Sequence, residues 1–129
     1  MVGKPGSSKS YSMQVIVDNF RDLIRHPFKD SDIPLVEVLS YQCSPLSTSE
    51  SIESTFTRAK NFQDNANRGA QHSTVAVVLL DEVGLAEHSP HLPLKVLHKL
   101  LEKPELAVVG ISNWPLDPAK MNRGVNHIF

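Results

Sequence analysis

Gly3-Lys4-Pro5-Gly6-Ser7-Ser8-Lys9-Ser10 and Val75-Ala76-Val77-Val78-Leu79-Leu80-Asp81-Glu82 are the two stretches that decide how this chain folds. The first is close to the phosphate-loop pattern of Gly, four residues and Gly-Lys-Ser/Thr, with Ser8 in the second glycine slot. Small residues let successive backbone N–H groups turn inward on phosphate oxygens. Lys9 adds a point charge, the Ser10 hydroxyl suits Mg²⁺, and a following helix aims its positive end at the anion. Gly3, Lys4, Pro5, Gly6, Ser7, Ser8, Lys9 and Ser10 are therefore the candidate nucleotide-binding residues.

The second stretch has six apolar residues, as expected of a buried strand in a parallel sheet, and then two carboxylates. Ligands of open α/β sheets bind beyond the carboxyl ends of the strands. Asp81 is the candidate metal ligand beside Ser10, and Glu82 the candidate group that polarises an attacking water. An acidic turn after an ordinary strand would read the same way in isolation. Together with the loop, it supplies the parts that phosphoryl chemistry needs.

Outward from these motifs, Met13, Ile16, Val17, Phe20, Leu23 and Ile24 mark one face of a helix from about Lys9 to Arg25, with Pro27 beyond it. Leu35 to Cys43 reads as a strand. Ser47 and Glu50 have the spacing of a capping box for a second helix through Ile52, Phe56, Ala59 and Gln63. Asn61 to Ser73 is polar, carries Gly69 and reads as a loop. A third helix enters through Pro90 and Pro93 with a stripe of Leu94, Leu97, Leu100 and Leu101. Leu106 to Ser112 is a further strand ending in Asn113, and Asp117-Pro118 looks like the start of a last helix. The alternation predicts an α/β fold with a parallel sheet and covering helices.

Composition narrows the classes. The chain has 129 residues, 40% hydrophobic and 21% charged, with a formal net charge of −1. That suits one modest globular core and argues against a charge-driven nucleic-acid surface. No apolar run has the length of a transmembrane segment, and no signal peptide is visible. The single cysteine, Cys43, forbids an internal disulfide, fits a reducing, cytoplasmic setting, and reads as a small buried residue. His88, His91 and His98 read as loop or solvated histidines, since Pro90 and Pro93 interrupt them and no thiol joins them. Trp114 is expected to pack over the end of the sheet.

The order of the motifs resembles an AAA+ ATPase module: phosphate loop, acidic strand, a strand ending in Ser112-Asn113, and Arg123 soon after. The runs Leu80 to Glu87, Gly110 to Trp114 and Leu116 to Gly124 are similar to the mysterin-like family, which joins tandem AAA+ units to a RING-type E3 ubiquitin ligase. The resemblance implies a P-loop NTPase three-layer sandwich over residues 1–129. It implies ATP and Mg²⁺ as cofactors, and ATP hydrolysis with Glu82, Asn113 and Arg123 as catalytic residues. Asn113 takes the sensor position, while Arg123 is either an arginine finger or a solvated helix residue. Other AAA+ modules or subunits and the ubiquitin machinery are the implied partners. The ligase chemistry itself is not in this chain, which lacks a Cys/His array of RING spacing.

Against the family's sheet order of 5-1-4-3-2, only Met1-Val2 precede Gly3, so the first strand is expected to be missing, as are the fifth strand and the helical lid. The phosphate loop would then be untethered on its N-terminal side, the strand ending at Ser112 would expose an open edge, and ATPase activity would be weak. A non-catalytic nucleotide-sensing or assembly module is the alternative. A P-loop nucleotide kinase would need a basic lid and an acceptor pocket, and the sequence shows neither.

Overall fold

The computed structural model describes residues 1–25, 34–70 and 73–117. The elements are α1 (Lys9–Arg25), β1 (Leu35–Gln42), α2 (Ser49–Asn67), β2 (Thr74–Asp81), α3 (Val83–Glu87), α4 (Lys95–Glu102) and β3 (Ala107–Gly110). The three strands form one parallel sheet in the order β1-β2-β3. This is the expected α/β fold. The helix expected after Asp117-Pro118, the segment around Pro27 and Arg123 lie outside the described residues.

Alternation along β2 builds the two faces. Thr74, Ala76, Val78 and Leu80 are buried, while Val75, Val77, Leu79 and Asp81 are half-buried. The buried face packs with Ile52, Phe56 and Ala59 of α2 and with Leu94, Val96 and Leu106, and the flanking strands add Leu39, Tyr41 and Val108 in register. This single cluster holds most of the buried apolar side chains. The half-buried face of β2 ends in Asp81, to which Ser10 of α1 is hydrogen-bonded. It follows that α1 lies on the opposite side of the sheet from α2, with helices over both faces as a parallel sheet requires. On α1, Met13 is buried as expected, but Ile16 is 46% exposed.

Three local expectations are corrected. The cap of α2 is Thr48, whose hydroxyl accepts from the Ser51 N–H while the Ser51 hydroxyl accepts from the Thr48 N–H. Ser47 is committed elsewhere: its Oγ accepts from the Ser44 N–H and from the Tyr41 hydroxyl, so the box moves one residue on. Helix α2 also continues seven residues into the expected loop, to Asn67 before Gly69 at φ +71°. Its polar last turns face the sheet. Gln63 Oε1 accepts from the Ala76 N–H at 2.8 Å, and the Asn67 side chain pairs both ways with the Thr74 backbone. Strand β3 starts only opposite Val77, so these side chains serve a stretch of β2 that β3 does not reach. Finally, the short helix α3 was not expected. It begins at the residue after Glu82, where the chain turns sharply.

The expected open edge beside β3 is corrected as well. Val2 forms a parallel bridge with Ser112. The Ser112 N–H donates to Met1 O at 2.9 Å and the Gly3 N–H donates to Ser112 O at 3.1 Å. Residues 1–3 therefore extend the sheet past β3, on the side the family order assigns to the first strand.

Two outcomes follow from this packing. Gln63→Ala leaves the fully buried Ala76 N–H without its acceptor and should cost about 1–3 kcal/mol in urea unfolding, whereas Asn65→Ala on the exposed face should cost little; equal effects would contradict the stitching. Burial, and next the negative charges of Asp81 and Glu82, push the Cys43 thiol up to about 12. The unfolded thiol ionises first, so this group withdraws stability as pH rises from about 9 to about 12. Iodoacetamide at pH 9 should label native Cys43 at least about a hundredfold more slowly than the urea-unfolded chain; similar rates would show the thiol to be exposed.

Candidate functional site

The loop Gly3–Ser10, the candidate phosphate loop, hangs between the bridge at Val2 and the first turn of α1. Gly6 at φ +81° and Ser8 at φ +56° reverse the backbone. The second value explains why glycine is usual in this slot, since a side chain there is strained by about 1–2 kcal/mol. Ser8 O is taken up by the Ser12 N–H and hydroxyl, both at 2.8 Å, which starts α1. The expectation that the loop is untethered on its N-terminal side is thus overturned: Gly3 is held by backbone pairing.

Lys9 is only 5% exposed. Its ammonium donates to Gly3 O at 2.7 Å, Lys4 O at 2.9 Å, Ser7 Oγ at 3.1 Å and Asn113 Oδ1 at 3.0 Å. An ammonium has three hydrogens, so four acceptors share them. Burial of the charge is tolerable because every direction ends in an oxygen. Lysine can only donate, so the amide oxygen of Asn113 faces Lys9 and its NH₂ points elsewhere.

Ser10 Oγ donates to Asp81 Oδ2 at 2.9 Å, and Asp81 Oδ1 accepts from the Glu82 N–H at 2.9 Å. The carboxylate is thereby held from both sides. A hydroxyl and a carboxylate at this separation are a hard oxygen pair of the kind Mg²⁺ takes, so the residues present fit that ion. Glu82 sits in the left-handed region at φ +52°, ψ +41°, at the turn from β2 into α3. Such a conformation persists where neighbours impose it, as the Val83 N–H to Ile111 O bond does at 2.9 Å. Among the described residues no group of three or more His, Cys, Asp or Glu side chains forms a metal site, so any Mg²⁺ here would rest on few protein ligands and on a substrate's own oxygens.

Pro5, Gly6, Ser8, Lys9, Ser10, Asp81, Glu82 and Asn113 line one cleft of about 260 Å³ with Ile111 and Ser112. The fold therefore brings together most of the residues singled out in the sequence; Gly3, Lys4 and Ser7 stand behind Lys9 as its acceptors. A larger depression of about 340 Å³ lies between α2 and α4, over Phe56 and Leu106. It lacks the convergence of loop amides, hydroxyl and carboxylates, and its Lys60 is paired with Glu105. Beside Asn113, Trp114 was expected over the end of the sheet, and its ring lies against α3 just past the end of β2. Gly84, two residues after Glu82, meets the Trp114 ring, and a close approach of this kind shows only in three dimensions. No described helix is long and apolar enough to cross a membrane.

Replacing Ser8 by glycine should relieve its backbone and raise stability by about 1 kcal/mol, read as a higher urea midpoint. No gain would show that the positive φ is not a source of strain.

Comparison with known proteins agrees with this geometry. A family described as "RNF213 AAA domain" matches residues 1–128. The E3 ubiquitin-protein ligase rnf213-beta of Danio rerio is 47% identical over 97% of the chain, and the E3 ubiquitin-protein ligases RNF213 of Homo sapiens and Mus musculus are 44% and 45% identical over the same share. The chain spans only 2–3% of the length of these relatives. On the match over nearly its whole length, the chain belongs to the RNF213 AAA domain family, the mysterin-like AAA modules whose motifs it carries.

Proposed function

We propose that the cleft binds ATP with Mg²⁺ and that the chain hydrolyses it, as one AAA+ module of a mysterin-like E3 ubiquitin ligase. The observation that carries this reading is the convergence of Lys9, Ser10, Asp81, Glu82 and Asn113 at one mouth of the sheet. The loop from Gly3 to Ser8 would supply amides to the phosphates, and the N-terminus of α1 its positive end. Bound Mg²⁺, held by Ser10 and Asp81, would neutralise charge on the β- and γ-phosphates. Lys9 would turn part of its hydrogen-bonding capacity from the loop carbonyls to phosphate oxygen. Glu82 would orient and deprotonate the attacking water, and the free NH₂ of Asn113 would position it. Arg123 would stabilise transition-state charge at this or a neighbouring module's site. Neighbouring AAA+ modules, the ubiquitin machinery and a cytoplasmic setting belong to the same proposal.

One observation favours a second reading. Lys9 is fully engaged by the loop and by Asn113, as suits a module that senses or binds nucleotide without turning it over. The same variants separate the two. Lys9→Ala should abolish MgATP binding. Glu82→Gln should keep binding and lower turnover by about 10²–10⁴-fold, trapping ATP where the parent releases ADP. Binding without turnover in the parent would favour the sensing module, and turnover that survives both substitutions would overturn the assignment of the site.

A further inference from the structure

Trp114 is the chain's single tryptophan, and neither the phosphate cradle nor the acidic pair uses it. Its ring lies so close over Gly84 that a Cβ at that position would stand 2.7 Å from Cε2 and 2.8 Å from Nε1, with Ser112 Oγ also at 2.7 Å. His88, one residue past α3, presents its ring to Trp114 at a centroid distance of 6.1 Å. Ser112 Oγ donates to Trp114 O at 2.6 Å and receives the Trp114 N–H at 3.3 Å. Asn113 therefore stands between two anchored residues. Ser112 is bonded to Met1 and Gly3, and Trp114 is seated on α3. Past the bridge at Ser112 no described strand carries the Asn113 backbone, so its aim at Lys9 depends on these two anchors.

We propose that Trp114 and Gly84 form a positioning lock for the phosphate loop: the indole seated on Gly84 fixes the turn at Ser112–Trp114, and so holds Asn113 against Lys9. The lock is a property of the ligand-free chain; its consequence for nucleotide rests on the reading of the cleft given above. Glycine suits position 84 because a Cβ would strike the rigid Trp114 ring and the Ser112 hydroxyl, which is itself tied to the Trp114 backbone. Packing of a supporting side chain is what keeps a polar group within about 0.5 Å of a working position. Through this lock the turn that carries Glu82 and the loop that carries Lys9 report on each other. Trp114 and Gly84 are positioning residues, since neither touches the space a phosphate would fill.

The test is acetylation of the full chain with an N-hydroxysuccinimide ester, read at each lysine by mass spectrometry, with exposed Lys4 and Lys95 as internal references and circular dichroism as the check on folding. Lys9 should react at least about tenfold more slowly than Lys4 in the parent and in Trp114→Phe, which keeps an aromatic wall. Trp114→Ala and Gly84→Ala should each speed Lys9 about tenfold, the size expected when a charge-assisted hydrogen bond is lost, with Lys4 and Lys95 unchanged. An unaltered Lys9 rate in both variants, or a rise in Trp114→Phe equal to that in Trp114→Ala, overturns the lock. If Trp114→Ala loses its fold, Gly84→Ala and Trp114→Phe decide the matter. Calorimetry with MgATP on the parent runs beside it: absence of heat overturns the nucleotide reading, and the lysine rates still decide the lock.

Discussion

The backbone pairing between residues 1–3 and the end of β3 is the constraint on which the site depends. Three bonds run along it: Met1 N to Gly110 O, Ser112 N to Met1 O, and Gly3 N to Ser112 O. They root the loop Gly3–Ser10 in the sheet, so its N-terminal flank is held without any ligand. With the loop's other end continuous with α1, both flanks are fixed and only Lys4 to Ser8 remain to adapt. Preorganisation of this kind removes ordering cost from binding. It also places Ser112, and hence Asn113, beside the loop rather than merely near it.

Around that root the polar groups satisfy one another. Lys9 shares its hydrogens among loop carbonyls, Ser7 and Asn113, and Ser10 and Asp81 answer each other across the sheet end. No buried side-chain nitrogen or oxygen among the described residues lacks a partner. A cleft closed on itself in this way satisfies its polar groups without ligand, and under the proposed reading phosphate would have to compete for Lys9. The balance between those bonds and the phosphate contacts would then set whether the module turns over or only senses.

Much of this was legible in the sequence because its signals are local. Gly3 to Ser10 and the run into Asp81-Glu82 each carry their own spacing, and α1 matches its expected bounds. What stayed hidden depends on contacts between distant residues. The end of α2 looked like a loop because Asn61 to Ser73 is polar and carries Gly69, yet Gln63 and Asn67 face β2 and bond to its backbone. Two residues before Gly3 looked too few to matter, since a single bridge to Ser112 leaves no periodic trace. The capping signal was displaced because Ser47 has a competing partner in Tyr41. The fit of Trp114 on Gly84 has no sequence signature beyond a glycine and a tryptophan thirty residues apart.

The most direct measurement is a ¹⁵N-resolved NMR titration of the chain with Mg²⁺ and a non-hydrolysable ATP analogue. Shifts should appear together at Gly3–Ser10, at Asp81-Glu82 and at Ser112–Trp114, three segments that only this fold makes neighbours. Shifts confined to the depression at Lys60, Lys99 and Lys103, or a spectrum that does not move at millimolar analogue, would contradict it.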